Sequence, residues 1–169
     1  MNKLKIGLDV DETVSAFMMP YIERFGIPKS SEEIGYNCHN VLRHDRNFWL
    51  NVPLIHIPDF VPELFCSKRV NPKAWSKKYL LDKLGIPKSI PFFQLMGQWM
   101  SKSKVLKGRI DVYIDDSIPN FLEINGAGIP CLLMDSDWNK DYETPLRIFS
   151  LKYKEIEDKY IKYFTDGKH

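Results

Sequence analysis

Asp9-Val10-Asp11-Glu12-Thr13 leaves the short apolar run Leu4-Lys5-Ile6-Gly7-Leu8. Two acids at alternate positions, on the turn that leaves a buried strand, aim both carboxylates at one small region. A second acidic pair, Asp115-Asp116, ends another apolar run, Val112-Tyr113-Ile114. Carboxylates crowded in this way repel one another unless a cation joins them. Mg²⁺ suits such a set, because it takes oxygen ligands, binds through one or two carboxylates and keeps waters and substrate phosphate in its shell. One carboxylate of the set can attack phosphorus to form an aspartyl phosphate. Another can protonate the leaving oxygen and then activate water. Phosphate also needs positive charge and hydrogen-bond donors. Lys102 and Lys104 open the helix that precedes the Asp115 strand, and Ser67 ends the run Leu64-Phe65-Cys66; backbone N–H groups add further donors. Together these are the parts of a phosphoryl-transfer site, where catalysis is mostly positioning and electrostatics.

The elements that must position these residues alternate along the chain. Strands are expected at 4–8, 64–66, 90–96, 111–114 and 130–134. Helices are expected at 15–25, 72–84, 102–107 and 119–125, with a polar helix from Pro145 onward. Residues 29–59 fit no long strand or helix pattern. Gly26-Ile27-Pro28-Lys29-Ser30 recurs as Gly85-Ile86-Pro87-Lys88-Ser89, and both read as helix stops, since glycine takes the left-handed cap and proline blocks continuation. Alternation of strand and helix implies an α/β fold with a doubly wound parallel sheet of about five strands. Sites in such folds lie beyond the carboxyl ends of the strands, at the switch in strand order. Here those ends carry Asp9 and Asp11, Ser67, Asp115 and Asp116, and Asp135.

Composition narrows the class. Apolar residues are 44% and charged residues 27% of 169, enough to bury a core without staples. Twenty-four Lys and Arg nearly balance 22 Asp and Glu, so no whole-molecule attraction to nucleic acid or membrane is implied. Three well-separated cysteines, Cys38, Cys66 and Cys131, argue against a disulfide framework and for a reducing, cytoplasmic setting. No apolar run is long enough to span a membrane. Cys38, His39 and His44 lack a fourth ligand at zinc spacing.

With these motifs in this order, the chain resembles the haloacid dehalogenase (HAD) superfamily of phosphatases. The resemblance rests on Leu8-Asp9-Val10-Asp11-Glu12-Thr13, on Ser67 in Phe65-Cys66-Ser67-Lys68-Arg69, on a lysine at 102 or 104, and on Tyr113-Ile114-Asp115-Asp116-Ser117. It implies Asp9 as nucleophile and metal ligand, Asp11 as general acid/base with its backbone carbonyl on Mg²⁺, Asp116 as a further ligand and Asp115 beside it. Ser67 and a lysine would bind the phosphoryl group, Lys102 in preference to Lys104. Glu12 stands where that motif most often has glycine. The resemblance further implies a catalytic core over 1–16 and 60–169, with a small, mainly helical cap over 17–59 inserted after the first strand.

The cap is aromatic, with Phe17, Tyr21, Phe25, Tyr36, Phe48 and Trp49. Nucleobases stack on such rings, and the arrangement is similar to the 5′(3′)-deoxyribonucleotidase branch. The expected substrate is therefore a small phosphorylated compound, a (deoxy)nucleoside monophosphate, contacted by Phe17, Phe48, Trp49, Thr13 and Lys68. Two alternatives stand beside it. One is a phosphatase for nucleic-acid ends or sugar phosphates; the other is a non-catalytic phosphate- or metal-binding module.

Overall fold

In a computed structural model, residues 3–97 and 100–165 of the chain are described. Six short runs form one sheet: β1 (Ile6–Leu8), β2 (Leu64–Ser67), β3 (Phe92–Gln94), β4 (Val112–Asp115), β5 (Cys131–Met134) and β6 (Arg147–Ile148). Their order is β3-β2-β1-β4-β5-β6, and every neighbouring pair is parallel. β1, β2, β4 and β5 are buried along their whole length. Strands covered on both faces read as continuous apolar runs rather than alternating ones.

Alternate residues of these strands feed two separate cores. Leu8, Phe65, Ile114 and Leu132 pack on one face with Tyr79 and Leu80 of α4 (Lys73–Leu84) and Ile156 of α7 (Tyr153–Tyr160). Cys66, Tyr113, Cys131 and Leu133 pack on the other with Leu106 of α5 (Ser103–Leu106) and Phe121 and Ile124 of α6 (Ile118–Gly126). Helices on both faces make the sheet doubly wound, and the winding reverses between β1 and β4.

The chain between β1 and β2 holds α1 (Met18–Phe25), α2 (Ser31–Asn40), a 3₁₀ turn (Leu42–His44) and α3 (Arg46–Asn51). Phe17, Met18, Tyr21, Leu42 and Trp49 form a small core of their own there.

Two expectations need correction. Residues 29–59 are not irregular throughout. α2 starts on a variant of the capping box: Ser30 Oγ accepts from Glu33 N at 3.3 Å, and Glu33 Oε2 reaches back to accept from Lys29 N, one residue before the cap, at 2.8 Å. Such reciprocal bonds satisfy donors that a helix start otherwise leaves unpaired. α3 starts on Asp45, whose Oδ1 accepts from Phe48 N at 2.9 Å. The second correction concerns the tail, which is not helical from Pro145. Residues 147–148 first add a sixth strand beside Leu133 and Met134. Ile148 is fully buried there, and Arg147 is held by Asp135, Asn139 and the Tyr142 carbonyl. Tertiary contacts override the local helical pattern, and the helix begins only at Tyr153.

Candidate active site

Register places the acids. Leu8 lies beside Ile114 on one side and Phe65 on the other, so Asp9, just past the end of β1, comes level with Asp115 and Cys66, the next residues of β4 and β2. The Asp9 N–H donates to the Ile114 carbonyl at 2.9 Å, extending the pairing by one step. Asp9, Asp115 and Asp116 each bring a carboxylate oxygen within 4.8 Å of the others.

Lys102 threads into this cluster from just ahead of α5. It is only 1% exposed, and its Nζ lies 2.6 Å from Asp115 Oδ2 and 3.0 Å from Asp9 Oδ2. Burial works against the ammonium, but Asp115 and Asp9 together outweigh it and hold Lys102 above its usual range. Asp115 Oδ1 accepts from Ser117 N at 3.0 Å and Asn120 Nδ2 at 3.1 Å. Both Asp115 oxygens accept hydrogen bonds, which fixes Lys102 and the turn after β4, and each keeps a further lone pair, so Asp115 stays one of the three acids whose oxygens could share a cation. Lys104, the other lysine considered, is exposed and does not line the cavity that holds the cluster.

Burial lifts Asp9 from an ordinary 3.8 to about 6, with Lys102 opposing and Asp115 and Asp11 adding repulsion. Asp116 is raised well above the usual range by burial and then by Asp115 and Asp9. Within the cluster, one ammonium faces three carboxylates. Asp9 Oδ1 is buried with no hydrogen-bond partner among the described residues, an arrangement that costs free energy unless a donor or cation meets the oxygen. The donor set is entirely carboxylate oxygen, which fits a hard divalent cation such as Mg²⁺.

Asp11 is held differently. Arg69 Nε donates to its Oδ2 at 2.8 Å, Arg69 Nη2 donates to Oδ1, and Ser15 Oγ donates to Oδ1 at 3.1 Å. Arg69 is itself buried, with its guanidinium over the rings of Trp49 at 5.1 Å and Tyr79 at 5.8 Å. Just past Asp11 the backbone turns through Glu12, whose φ of 54° explains why this position of the motif favours glycine. Glu12 Oε1 accepts from Met18 N at 2.7 Å, tying the turn after β1 to the start of α1. Burial raises Glu12 to about 7.

These groups floor a cavity of about 400 Å³ that includes Asp9, Asp11, Ser67, Lys102 and Asp116. A second cavity of about 230 Å³ shares Asp11, Phe17, Ile34 and Lys68 with it and adds Trp49 and Arg69. Lys68 Nζ donates to Asn120 Oδ1 at 3.0 Å. Of the expected substrate contacts, Phe17 and Lys68 line both cavities and Trp49 lines the second. Thr13 is fully buried, and neither it nor Phe48 lines either cavity.

Arg69, Asn120 and Asn139 carry no role in the sequence reading. Arg69 offers one signal, an arginine two residues past the serine that ends β2. The amides offer none, because an asparagine in a loop or a helix start carries no pattern that says which nearby or distant groups it will bond.

The fold and site define an α/β protein with a carboxylate–lysine cluster at the carboxyl edge of a parallel sheet, at the point where the winding reverses. No protein-family model and no curated protein matches the chain.

Proposed function

We propose that the chain is a Mg²⁺-dependent phosphomonoesterase of the HAD type acting on (deoxy)nucleoside monophosphates, with Asp9 as nucleophile. The observation that carries this reading is Lys102, buried and bridging Asp9 and Asp115 at the floor of a cavity that also holds Asp116. A buried ammonium beside a buried carboxylate at a cavity floor is the arrangement that receives an anion and turns a carboxylate on it.

Asp9, Asp116 and the Asp11 backbone carbonyl would hold Mg²⁺, which supplies charge neutralisation for the carboxylates and the phosphate. Lys102 and the Ser67 hydroxyl bind the phosphoryl oxygens and orient phosphorus toward Asp9. An Asp9 oxygen forms a bond to phosphorus as the ester P–O bond breaks, and the leaving oxygen takes a proton from Asp11. Asp11 then removes a proton from water; the water oxygen attacks phosphorus, the bond to Asp9 breaks, and inorganic phosphate leaves. Arg69 fixes the direction of the Asp11 carboxylate, and each carboxylate oxygen keeps a second lone pair for the proton.

The test is phosphate release from p-nitrophenyl phosphate and from a panel of deoxynucleoside 5′- and 3′-monophosphates. Activity is expected with Mg²⁺, is lost on chelation, and falls on the order of 10⁴-fold in Asp9→Asn. Wild type and Asp9→Asn alike releasing no phosphate across the panel would leave the fold as a binding module.

A further inference from the structure

The rings expected from the sequence to meet a nucleobase are largely committed to one another. Phe17 stacks on Trp49 with centroids 5.6 Å apart and planes 16° from parallel. Phe48 stands edge-on to both, at 5.9 and 5.4 Å. Trp49 is 2% exposed and its Nε1 donates to the Leu42 carbonyl at 2.8 Å. A base cannot enter between rings already in contact without breaking the core of the cap.

Another ring faces the catalytic cavity. Trp138, on the loop after β5, is 50% exposed and lines the same 400 Å³ space as Asp9, Lys102 and Asp116. That loop is not loose. Asn139 Nδ2 donates to the Met134 carbonyl at 2.8 Å and to the Asp116 carbonyl at 2.7 Å. Asn139 Oδ1 accepts from Ser136 N at 3.2 Å and from Arg147 Nη1 at 2.6 Å. One buried amide therefore ties the residue next to Trp138 to the backbone of an acid in the cluster. A large, rigid ring fixed at the edge of a reactive site gives contact area at little entropic cost. The cavity volume falls in the range of small-molecule sites, and the cap adds Phe17, Met18 and Ile34 to the same lining.

We propose that Trp138 is the specificity-determining residue of this site, stacking the planar base of a mononucleotide whose phosphate lies at Lys102 and Ser67. The placement of the phosphate rests on the phosphatase reading; the ring contact does not need turnover. The stacking surface is thus carried by the loop after β5, and the buried Phe17–Trp49 pair serves to hold the cap together.

The experiment compares two ligands that differ only in the base, thymidine 5′-monophosphate and 2-deoxyribose 5-phosphate. Binding of each is measured by calorimetry and by quenching of tryptophan fluorescence, in Asp9→Asn protein so that nothing turns over. Adding Trp138→Ala should weaken the nucleotide roughly ten- to hundredfold and the base-free sugar phosphate by less than about twofold, while Trp138→Phe keeps most of the nucleotide affinity. Equal weakening of both ligands, no weakening of either, or failure of the nucleotide to bind more tightly than the sugar phosphate overturns the proposal. Failure of the phosphatase reading shows separately, as no phosphate release by protein with Asp9 intact while the contrast in binding persists.

Discussion

Lys102 and Lys104 are two residues apart and chemically alike, yet the fold makes them opposite cases. Lys102 is sealed between Asp9 and Asp115, whereas Lys104 is exposed. Removing the Lys102 ammonium leaves two buried carboxylates without their counter-charge, and breaking a buried pair in this way costs about 3–5 kcal/mol. Lys102→Met is expected to lower stability by that amount in urea unfolding and to abolish phosphate release. Lys104→Ala is expected to change stability by less than about 0.5 kcal/mol, the usual range for a surface site. Arg69 poses the same question for the other acid. It is buried against Trp49, Tyr79 and Ser76 and bonds both oxygens of Asp11. A lysine brings the charge but not the planar fork that meets both oxygens. Arg69→Lys should therefore lower kcat while KM moves little, and a KM rise with unchanged kcat would show that Arg69 binds substrate instead of orienting Asp11.

At the scale of elements, the strands that carry the acids were legible because their apolar runs are short, continuous and followed at once by polar residues. Gly7 belongs to the same logic. A Cβ there would come within 2.9 Å of the Tyr113 ring, and the Tyr113 hydroxyl in turn donates to the Cys66 carbonyl and accepts from Lys102 at 3.4 Å. The Asp9–Asp115 cluster was legible for the same reason, since a parallel sheet puts the ends of neighbouring strands side by side. Three elements, β6, α2 and α3, were not read. β6 is two residues long and owes its place to Arg147 and the buried Ile148, which no local pattern announces. α2 was missed although its signal is present: Ser30-Ser31-Glu32-Glu33 spells a capping box ahead of a helix with no fully buried residue. Apolar periodicity is weak in that helix, so the cap supplies much of the reason it starts where it does. Ser30→Ala should cost about 1 kcal/mol, seen as a lower urea midpoint with an unchanged slope. Because Ile34 of α2 lines both cavities, the same change should also raise KM for a nucleotide.

For the molecule as a whole, the site stores repulsion that a cation would relieve. Asp9 sits at about 6 in the fold against an ordinary 3.8, so folding favours its protonated form. The stability this gives is full below about pH 3.8 and is lost as the pH rises through about 6. Asp116 is pushed in the same direction by burial and by its acidic neighbours. At neutral pH the ion-free protein therefore carries buried charge that the unfolded chain does not. On the proposed reading Mg²⁺ would bind the ionised carboxylates of the folded state alone, and so would stabilise by mass action. The increment depends on pH because protons and Mg²⁺ compete for the same oxygens. At a pH of about 7.5, millimolar Mg²⁺ is expected to raise Tm by roughly 5 °C, as 2–4 °C per kcal/mol at this chain length implies. At a pH of about 5 the increment should shrink toward zero. Scanning calorimetry with Mg²⁺ and with chelator at both pH values makes the measurement. In Asp9→Asn the ion-free protein should be more stable at neutral pH than wild type, and the Mg²⁺ increment should be largely gone. An increment independent of pH, or one that survives loss of both Asp9 and Asp116, would place the cation elsewhere on the molecule.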